Sequence, residues 1–299
     1  MIVNKSALDA IFLGLKTLFN NAFAAAPSQW QETTMLVSST TSQNQYNWLS
    51  MFPKMRKWVG EKFIKNLEAS KYTVVNDDWE ATVSVRRNDV EDDNLGIYGP
   101  QAQMAGFSAR QLPDEIVADL KNNAFTAIIY DSQYFYDVDH PVAGVSTSNK
   151  GTSPLSNATL AAADAGYGAA RTAIMSLKDE EGRPLALIPD TLEVPVALEK
   201  MGRMLLENDK LADNTPNPYK GTAKLLVNPR LTSTTAWFLH VTSLPVKPFI
   251  YQERKAPVFV SQVGEENDDV FNRAIFKYGA EARAAGGYGL WQLSYGSTG

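Results

Sequence analysis

Residues 72–85, YTVVNDDWEATVSV, place two runs of β-forming side chains on either side of Asn76, Asp77 and Asp78. Apolar and polar residues that alternate around a polar turn predict a β-hairpin. A two-stranded ribbon has no second layer to cover its apolar side chains, so it is only marginally stable by itself. The stretch therefore predicts a projecting hairpin that is stabilised by packing on a partner surface.

The charges on the two sides of this hairpin are segregated by sign. Cations come first, namely Lys54, Arg56, Lys57, Lys62, Lys65 and Lys71, and acids close the segment at Asp89, Glu91, Asp92 and Asp93. Opposite charges at the two ends favour contact between copies of the chain, although a solvated hairpin whose charges maintain solubility explains the same pattern. The candidate subunit contacts are Lys54, Arg56, Lys57, Trp58, Lys62, Lys65, Glu91, Asp92 and Asp93.

The N-terminal region begins with an amphipathic helix. Apolar residues recur at helical spacing over residues 8–23, Ser6 is a candidate N-cap, and Pro27 ends the helix. Asp9 and Lys16 interrupt the apolar run, which argues against a secretory signal.

Residues 27–45 are rich in Ser, Thr and Gln and have no sustained period. We expect an extended arm that is ordered only by lying on another surface, with a neighbouring chain as one candidate. Together with the preceding helix this region supplies a second set of candidate subunit contacts, Ile11, Phe12, Leu15 and Phe19.

The chain beyond the hairpin mixes helices and strands. Residues 98–124 predict a long helix, either continuous or interrupted at Pro113, and 157–178 predict another. Residues 125–130, FTAIIY, predict a buried strand. Short strands and turns dominate the chain after residue 214. The fold class is therefore α+β.

Composition excludes several classes of function. The 299 residues are 44% hydrophobic, enough for a sizeable core, and their net charge of −5 disfavours strong, sequence-independent DNA binding. The absence of cysteine excludes disulfides, thiolate metal sites and a cysteine nucleophile. No phosphate-binding glycine loop or nucleophile elbow occurs. No stretch reaches the roughly 18 apolar residues that span a bilayer.

Residues 130–141, YDSQYFYDVDHP, gather three carboxylates and one of two histidines. Asp and His are common metal ligands and acid–base groups, so Asp137, Asp139 and His140 are the candidate cluster of a metal-dependent hydrolase. In an extended segment Asp137 and Asp139 share one face and His140 points away, unless Pro141 turns the chain back. The alternative is a polar aspartate turn that closes an aromatic strand end.

The second histidine, His240, shares a strand face with Phe238. This position predicts a hydrogen-bonded histidine of the core or of an interface. The sequence therefore predicts no catalytic residue, no bound metal and no cofactor.

Five short segments, taken in order, resemble the major head subunit of Mu-like bacteriophages, which are tailed-phage capsid proteins of the Hong Kong 97 type. They are YFYDVDHP (134–141), LVNPRLT (226–232), AWFLH (236–240), KPFIYQ (247–252) and YGAEARAAGGYGLWQL (278–293). The resemblance implies an α+β Hong Kong 97-like phage capsid fold with an N-terminal arm, an extended β-hairpin loop, a spine helix, and peripheral and axial domains.

The resemblance also implies a division of the chain. Residues 1–50 are the arm, 51–97 the extended loop, 98–125 the peripheral domain with its spine helix, 126–269 the axial domain, and 270–299 the return to the peripheral domain. A ribbon that cannot bury its own face would be buried by an adjacent subunit. The short arm before the loop indicates a separate scaffold protein or an already shortened form. No partner asparagine is identifiable for the loop lysines, so no crosslink is predicted.

The implied function is that of a major capsid protein and not of an enzyme. Copies are expected to self-assemble into hexamers and pentamers of an icosahedral head that encloses double-stranded DNA without sequence-specific binding. Scaffold and portal proteins are expected partners, decoration proteins are a further candidate, and no membrane is involved. Assembly is expected in the host bacterial cytoplasm and the product in the virion. The rival hypotheses are the hydrolase and a small oligomeric binding module that forms a discrete ring or dimer.

Overall fold

The computed structural model describes residues 5–50, 72–92, 95–264 and 267–299. Its helices are α1 (Lys5–Ala25), α2 (Arg87–Glu91), α3 (Gly99–Asn123), α4 (Leu160–Ala163), α5 (Ala169–Met175), α6 (Glu199–Glu207) and α7 (Asp268–Arg273), with a π-helical turn at Asp164–Gly168. Its strands are β1 (Thr34–Ser38), β2 (Gln43–Gln45), β3 (Thr73–Val75), β4 (Asp77–Arg86), β5 (His140–Val142), β6 (Val145–Thr147), β7 (Lys150–Gly151), β8 (Thr191–Val194), β9 (Lys224–Val227), β10 (Trp237–His240), β11 (Phe249–Gln262), β12 (Ile275–Tyr288) and β13 (Ser294–Ser297).

A four-stranded sheet with the order β1-β11-β12-β4 carries the first body of the fold. Its long central strands, β11 and β12, form an antiparallel hairpin, and β1 joins β11 in parallel. Helix α3 packs on this sheet and α1 packs on α3, which buries a core that includes Val85, Phe276 and Tyr278. The two helices approach closely at Gly106, where a Cβ atom would lie 2.3 Å from the backbone oxygen of Phe19.

A five-stranded sheet with the order β7-β13-β10-β8-β9 forms the second body. Strand β10 is central, and all four of its residues are buried. The core around it includes Tyr136, Tyr167, Trp237 and Leu239. Within the described part of the chain, no helix is long and apolar enough to cross a membrane.

The predicted pairing of the two runs in 72–85 is wrong. Strand β3 pairs with β2, and β4 pairs along its whole length with β12, so a single residue, Asn76, separates strands of two different sheets. In β4, Val83 and Val85 are buried in the first body and Ser84 is exposed. Alternation correctly indicated one buried face, but it carries no information about which strand lies alongside.

The polar stretch 27–45 has its partner within the chain. It contains β1, which forms an edge of the four-stranded sheet, and β2, which pairs with β3. Asp114 of α3 fixes its start, because one carboxylate oxygen accepts the backbone N–H groups of Gln29 and Trp30, both at 2.8 Å. The extended conformation agrees with the expectation, whereas the surface that orders this stretch is its own subunit.

Both long helical predictions are confirmed. Helix α3 runs from Gly99 to Asn123 without a break and continues through Pro113. The range 157–178 contains α4, the π-helical turn and α5.

The predicted buried strand at 125–130 is wrong. Ile128 makes an isolated bridge with Tyr134 around a tight turn, in which Ser132 has a φ of 68°, and the Ile128 side chain is exposed. A short apolar run cannot by itself distinguish a strand from a turn that buries only part of its side chains.

Candidate functional site

Most of the predicted loop contacts lie outside the described residues. These are Lys54, Arg56, Lys57, Trp58, Lys62, Lys65 and Asp93. Glu91 and Asp92 are described, and both are exposed at the end of α2. Glu91 accepts a hydrogen bond from Nε of Arg87 at 3.1 Å. An exposed pair of this kind contributes about 0.3–0.5 kcal/mol to the stability of the fold. The contact of Glu91 and Asp92 with a neighbouring subunit stays a prediction.

The four candidate contacts of the N-terminal helix already pack within the chain. Ile11, Leu15 and Phe19 are buried in the core of the first body. The ring of Phe12 stacks on Phe259, with ring centroids 5.8 Å apart, and on Tyr278 at 6.5 Å. Their contact with a neighbouring subunit stays a prediction.

Within the 130–141 segment, His140 contacts Asp131. Its Oδ2 atom lies 2.6 Å from Nδ1 of His140. Asp139 is exposed, and Asp137 is bonded instead by two backbone N–H groups. Asp137, Asp139 and His140 therefore do not converge on one point. Among the residues that the structure describes, no group of three His, Cys, Asp or Glu side chains could hold a metal ion.

Asp137 closes a turn. Burial alone would raise the pKa of Asp137, but the backbone N–H groups of Val138 and Tyr134 donate to its carboxylate, and the pKa lies below its ordinary value. The positive charge of Lys150 acts in the same direction. This is the polar aspartate turn that the sequence offered as the alternative to a hydrolase site.

The ring of His140 is completely buried and stacks on Trp291, with centroids 4.1 Å apart and planes 7° from parallel. Its Nε2 atom lies 3.1 Å from Oδ1 of Asn149. The amide nitrogen of Asn149 donates to three backbone carbonyls, so its oxygen faces the ring. Both ring nitrogens thus face oxygen atoms, one of the Asp131 carboxylate and one of the Asn149 amide.

A larger buried network surrounds His240 and joins the two bodies. Glu193 of β8 is fully buried, and its carboxylate lies 2.8 Å from Nζ of Lys121 on α3. The same carboxylate accepts Nδ2 of Asn228 at 2.7 Å and lies 3.0 Å from Nε2 of His240. Lys121 also donates to Oγ1 of Thr33 at 2.9 Å. The C-terminal end of α3 is thereby tied to the five-stranded sheet.

The protonation states in this network follow from its geometry. Burial would raise the pKa of Glu193, but the charge of Lys121 and the hydrogen bond from His240 outweigh it, and the pKa lies well below its usual range. Burial lowers the pKa of His240. A neutral ring donates from Nε2 to Glu193 and accepts at Nδ1 the hydroxyl of Ser294 at 2.8 Å, while the Tyr136 hydroxyl lies 2.6 Å from the same Ser294 oxygen. His240 is the hydrogen-bonded core histidine that the sequence predicted.

Sequence reasoning missed the partners of both histidines. A signal existed for Glu193, because one acid inside the apolar strand segment TLEVPV must meet a donor or a cation when the strand is buried on both faces. No local pattern pointed to Lys121 as that cation, or to Asn149 as the residue that orients His140.

The outer face of the four-stranded sheet is charged in both signs. Lys255 and Glu281 pair across β11 and β12, and Arg283 lies 2.7 Å from Asp78 across β12 and β4. All four side chains are more than a third exposed. Such pairs contribute little to stability. Because this face carries both positive and negative side chains, it is not a basic surface.

The comparisons with known proteins agree with the resemblance of the five segments. The family model described as "Mu-like prophage major head subunit gpT" matches residues 8–165, 155–231 and 230–299. The chain is 30% identical over 298 residues to the Mu-like prophage FluMu major head subunit of Haemophilus influenzae, covering 99% of this chain and 75% of that protein. It is 31% identical over 294 residues to the major capsid protein of Escherichia phage Mu, with 98% and 74% covered.

A solved structure shows the same architecture. A chain of the procapsid of bacteriophage JBD30 matches with a TM-score of 0.62 and 29% identity, over 99% of this chain and 76% of that chain. The α+β fold is thus the Hong Kong 97-type capsid fold that the sequence predicted. The matching proteins are structural proteins and not enzymes, and nothing supports the hydrolase alternative. The chain belongs to the Mu-like prophage major head subunit gpT family, and it is a major capsid protein of the virion shell.

Proposed function

We propose that the chain self-assembles into hexamers and pentamers that close an icosahedral head around double-stranded DNA. The observation that carries this proposal is the likeness to the JBD30 procapsid chain, which extends over 99% of this chain. Identical subunits close into a finite shell only when their contacts generate closed symmetry. Weak contacts that are repeated many times then give a strong assembly.

We also propose an assignment of the chain to the parts of a capsid subunit. Residues 1–50 form the arm, 51–97 the extended loop, 98–125 and 270–299 the peripheral domain, and 126–269 the axial domain. In support, α3 spans the first body as a single helix, as a spine helix should. Within the loop range, β3 and β4 belong to the body of the subunit, because they pair with β2 and β12.

The enclosed DNA would be held by confinement more than by binding. The net charge of −5 and the mixed-sign face of the four-stranded sheet both argue against a strong phosphate-binding surface. Scaffold, portal and decoration proteins are the further partners in this proposal.

Electron microscopy with sedimentation velocity tests the assembly. The chain is expressed alone and together with the neighbouring phage genes, and both products are purified. Shells or tubes built of hexamers are the expected result in at least one preparation. Small monodisperse particles in both preparations would contradict the proposal and favour a discrete ring or dimer.

Charge reversal tests the contact role of the loop. The triple variant Lys54→Glu, Arg56→Glu and Lys57→Glu should impair assembly, because like charges would then face each other across subunits. A matched control reverses Lys178, Lys200 and Lys210, three exposed lysines of the second body, and changes the net charge equally. Equal assembly of the two triple variants and the wild type would reject the loop contacts.

A further inference from the structure

An amine, a carboxylate and a side-chain amide meet at the buried junction between the two bodies, and we call Lys121, Glu193 and Asn228 the junction triad. Lys121 is 2% exposed, Glu193 0% and Asn228 5%. Nζ of Lys121 donates to Oε1 of Glu193 at 2.8 Å, and Nδ2 of Asn228 donates to the same oxygen at 2.7 Å. One carboxylate oxygen is thus in hydrogen-bond contact with both nitrogens.

The backbone around Asn228 fixes the direction of its amide. Asn228 directly follows β9, and its N–H donates at 2.9 Å to the carbonyl of Val194, the residue after Glu193. The backbone N–H of Arg230 donates to Oδ1 of Asn228 at 3.0 Å. The amide nitrogen therefore faces Glu193, and the amide oxygen faces a backbone donor.

The other two members of the triad are also held from several sides. Nζ of Lys121 donates to Oγ1 of Thr33 at 2.9 Å and lies 5.3 Å from the ring centroid of Phe249. The second oxygen of Glu193 lies 3.0 Å from Nε2 of His240. The amine is thereby kept beside the carboxylate in surroundings with little access to water.

We infer that the junction triad forms an intrachain amide bond between Nζ of Lys121 and Cγ of Asn228, with release of ammonia. A desolvated lysine amine is a nucleophile, and a carboxylate within hydrogen-bond reach of the attacking and leaving nitrogens can carry protons between them. The reaction occurs once in each chain, on its own side chains, so it is not an enzymatic activity. It needs no second subunit and does not rest on the proposed function.

The reaction begins with a proton transfer from Nζ of Lys121 to Glu193, which replaces two buried charges by a neutral amine and a neutral acid. The Nζ lone pair then forms a bond to Cγ of Asn228, and the π pair of the carbonyl moves to Oδ1. The backbone N–H of Arg230 donates to this oxygen and stabilises its charge.

The second half of the reaction releases ammonia. Glu193 gives its proton to Nδ2 of Asn228 and takes one from Nζ of Lys121. The electron pair on Oδ1 re-forms the carbonyl, the bond between Cγ and Nδ2 breaks, and the leaving nitrogen departs with the bonding pair as ammonia. The products are one amide, one ammonia and a protonated Glu193, and no oxidant or reductant is required.

The bond would join α3 of the first body to the end of β9 in the second. The two positions are roughly a hundred residues apart in the chain, and a covalent link that closes so long a segment lowers the entropy of the unfolded state. It would also remove the buried positive charge of Lys121. The expected benefit is a subunit whose two bodies stay together when the rest of the fold is stressed.

Mass spectrometry of the full-length chain tests the inference. We expect the intact mass to lie about 17 Da, the mass of ammonia, below the mass of the sequence. Trypsin should fail to cut after Lys121, so that peptide 111–150 is found linked to peptide 225–230. Asparagine usually loses ammonia by attack of the next backbone N–H, but Pro229 has none, so a deficit located at Asn228 identifies the lysine link.

Two variants and an internal control accompany the wild type. Lys121→Arg keeps a cation beside Glu193 but replaces the amine with a guanidinium, and Glu193→Gln removes the proton carrier. Both should have the full mass of their sequences. Nζ of Lys121 is buried, whereas Nζ of Lys210 contacts Oδ1 of Asn214 at 2.9 Å in an exposed pair. Trypsin should cut normally after Lys210.

A wild-type chain at its full sequence mass, with normal cleavage after Lys121 in both unassembled and assembled protein, would overturn the inference and leave the triad an ion pair only. The same mass deficit in Lys121→Arg would overturn it as well. If either variant fails to fold, the mass and the linked peptide of the wild type still decide the matter.

Discussion

The two histidines of the chain are equally buried and differ in what their ring nitrogens meet. His140 faces Asp131 at one nitrogen and the amide oxygen of Asn149 at the other. His240 faces a carboxylate at Nε2 and a hydroxyl that can donate at Nδ1. The first ring therefore faces two oxygen acceptors, whereas the second faces one acceptor and one group that can donate. Two equally buried histidines thus differ in the hydrogen bonds that their surroundings allow.

The comparison also separates two ways of holding a fold together. The pair of His140 and Asp131 is local, since its members are nine positions apart, and it ties together one turn beside Trp291. The network of His240 is long-range, because it joins Lys121 of α3 to Glu193 of β8. Loss of the His240 network should lower the free energy of unfolding more, since it leaves an almost fully buried charge without a partner.

Replacement of Glu193 by Gln should have the largest effect. The substitution leaves Lys121 charged and buried without a counterion, and we expect a loss of about 3–5 kcal/mol in the free energy of unfolding. Urea unfolding of the unassembled subunit measures it. The double variant Lys121→Met with Glu193→Gln removes both charges and should recover part of the loss. A double variant no better than the single one would show that the ion pair is not the source.

Replacement of Asp131 by Asn should cost less, about 1–3 kcal/mol. The variant removes the charged acceptor at Nδ1 of His140, but Asp131 is slightly exposed and water can reach the position. The same urea measurement applies. A loss of unfolding free energy that equals or exceeds that of Glu193→Gln would contradict the claim that the long-range cluster contributes more than the local one.

Acidification should destabilise the subunit through the His240 network. The folded pKa of His240 lies below its ordinary value of 6.5, so its contribution is complete above that pH and declines as pH falls below it. Glu193 adds a second loss only below its ordinary pKa of 4.5. Between pH 6.5 and 5, we expect a slope of at most about 1.4 kcal/mol per pH unit from His240.

The His240→Gln variant isolates this slope, because His140 is present in both proteins. Unfolding midpoints measured from pH 8 to pH 5 should fall less steeply in the variant. Identical slopes would mean that His240 does not titrate on unfolding in this window.

Replacement of Glu91 by Gln should have the smallest effect, below about 0.5 kcal/mol. Its pair with Arg87 is about half exposed on both sides. A normal unfolding curve combined with a reduced assembled fraction would support the predicted subunit contact. A large loss of stability would show that the acid serves the fold instead.

Much of the fold could be predicted because its signals are local. The apolar faces of α1 and α3 recur at helical spacing, and burial of Ile11, Leu15 and Ala109 follows that spacing. The partner of β4 could not be predicted, because alternation defines a face and β12 lies about two hundred residues away in the chain.

The candidate site was only partly predictable for the same reason. His140 drew attention through the nearby Asp137 and Asp139, yet the acid that it meets is Asp131, which the turn at Ser132 brings within reach. The partner of His240 is Glu193, 47 positions away. Spacing along the sequence identifies candidate residues, but only the folded structure shows which of them are in contact.

The most direct test of this account is nitrogen-15 NMR of the two imidazole rings, assigned with His140→Gln and His240→Gln variants. We predict a neutral His240 ring near neutral pH, with its proton on Nε2 facing Glu193 and its Nδ1 accepting the hydroxyl of Ser294. A proton on Nδ1 of His240, or a His240 ring that titrates as a freely accessible imidazole, would contradict the claim that its buried partners fix its state.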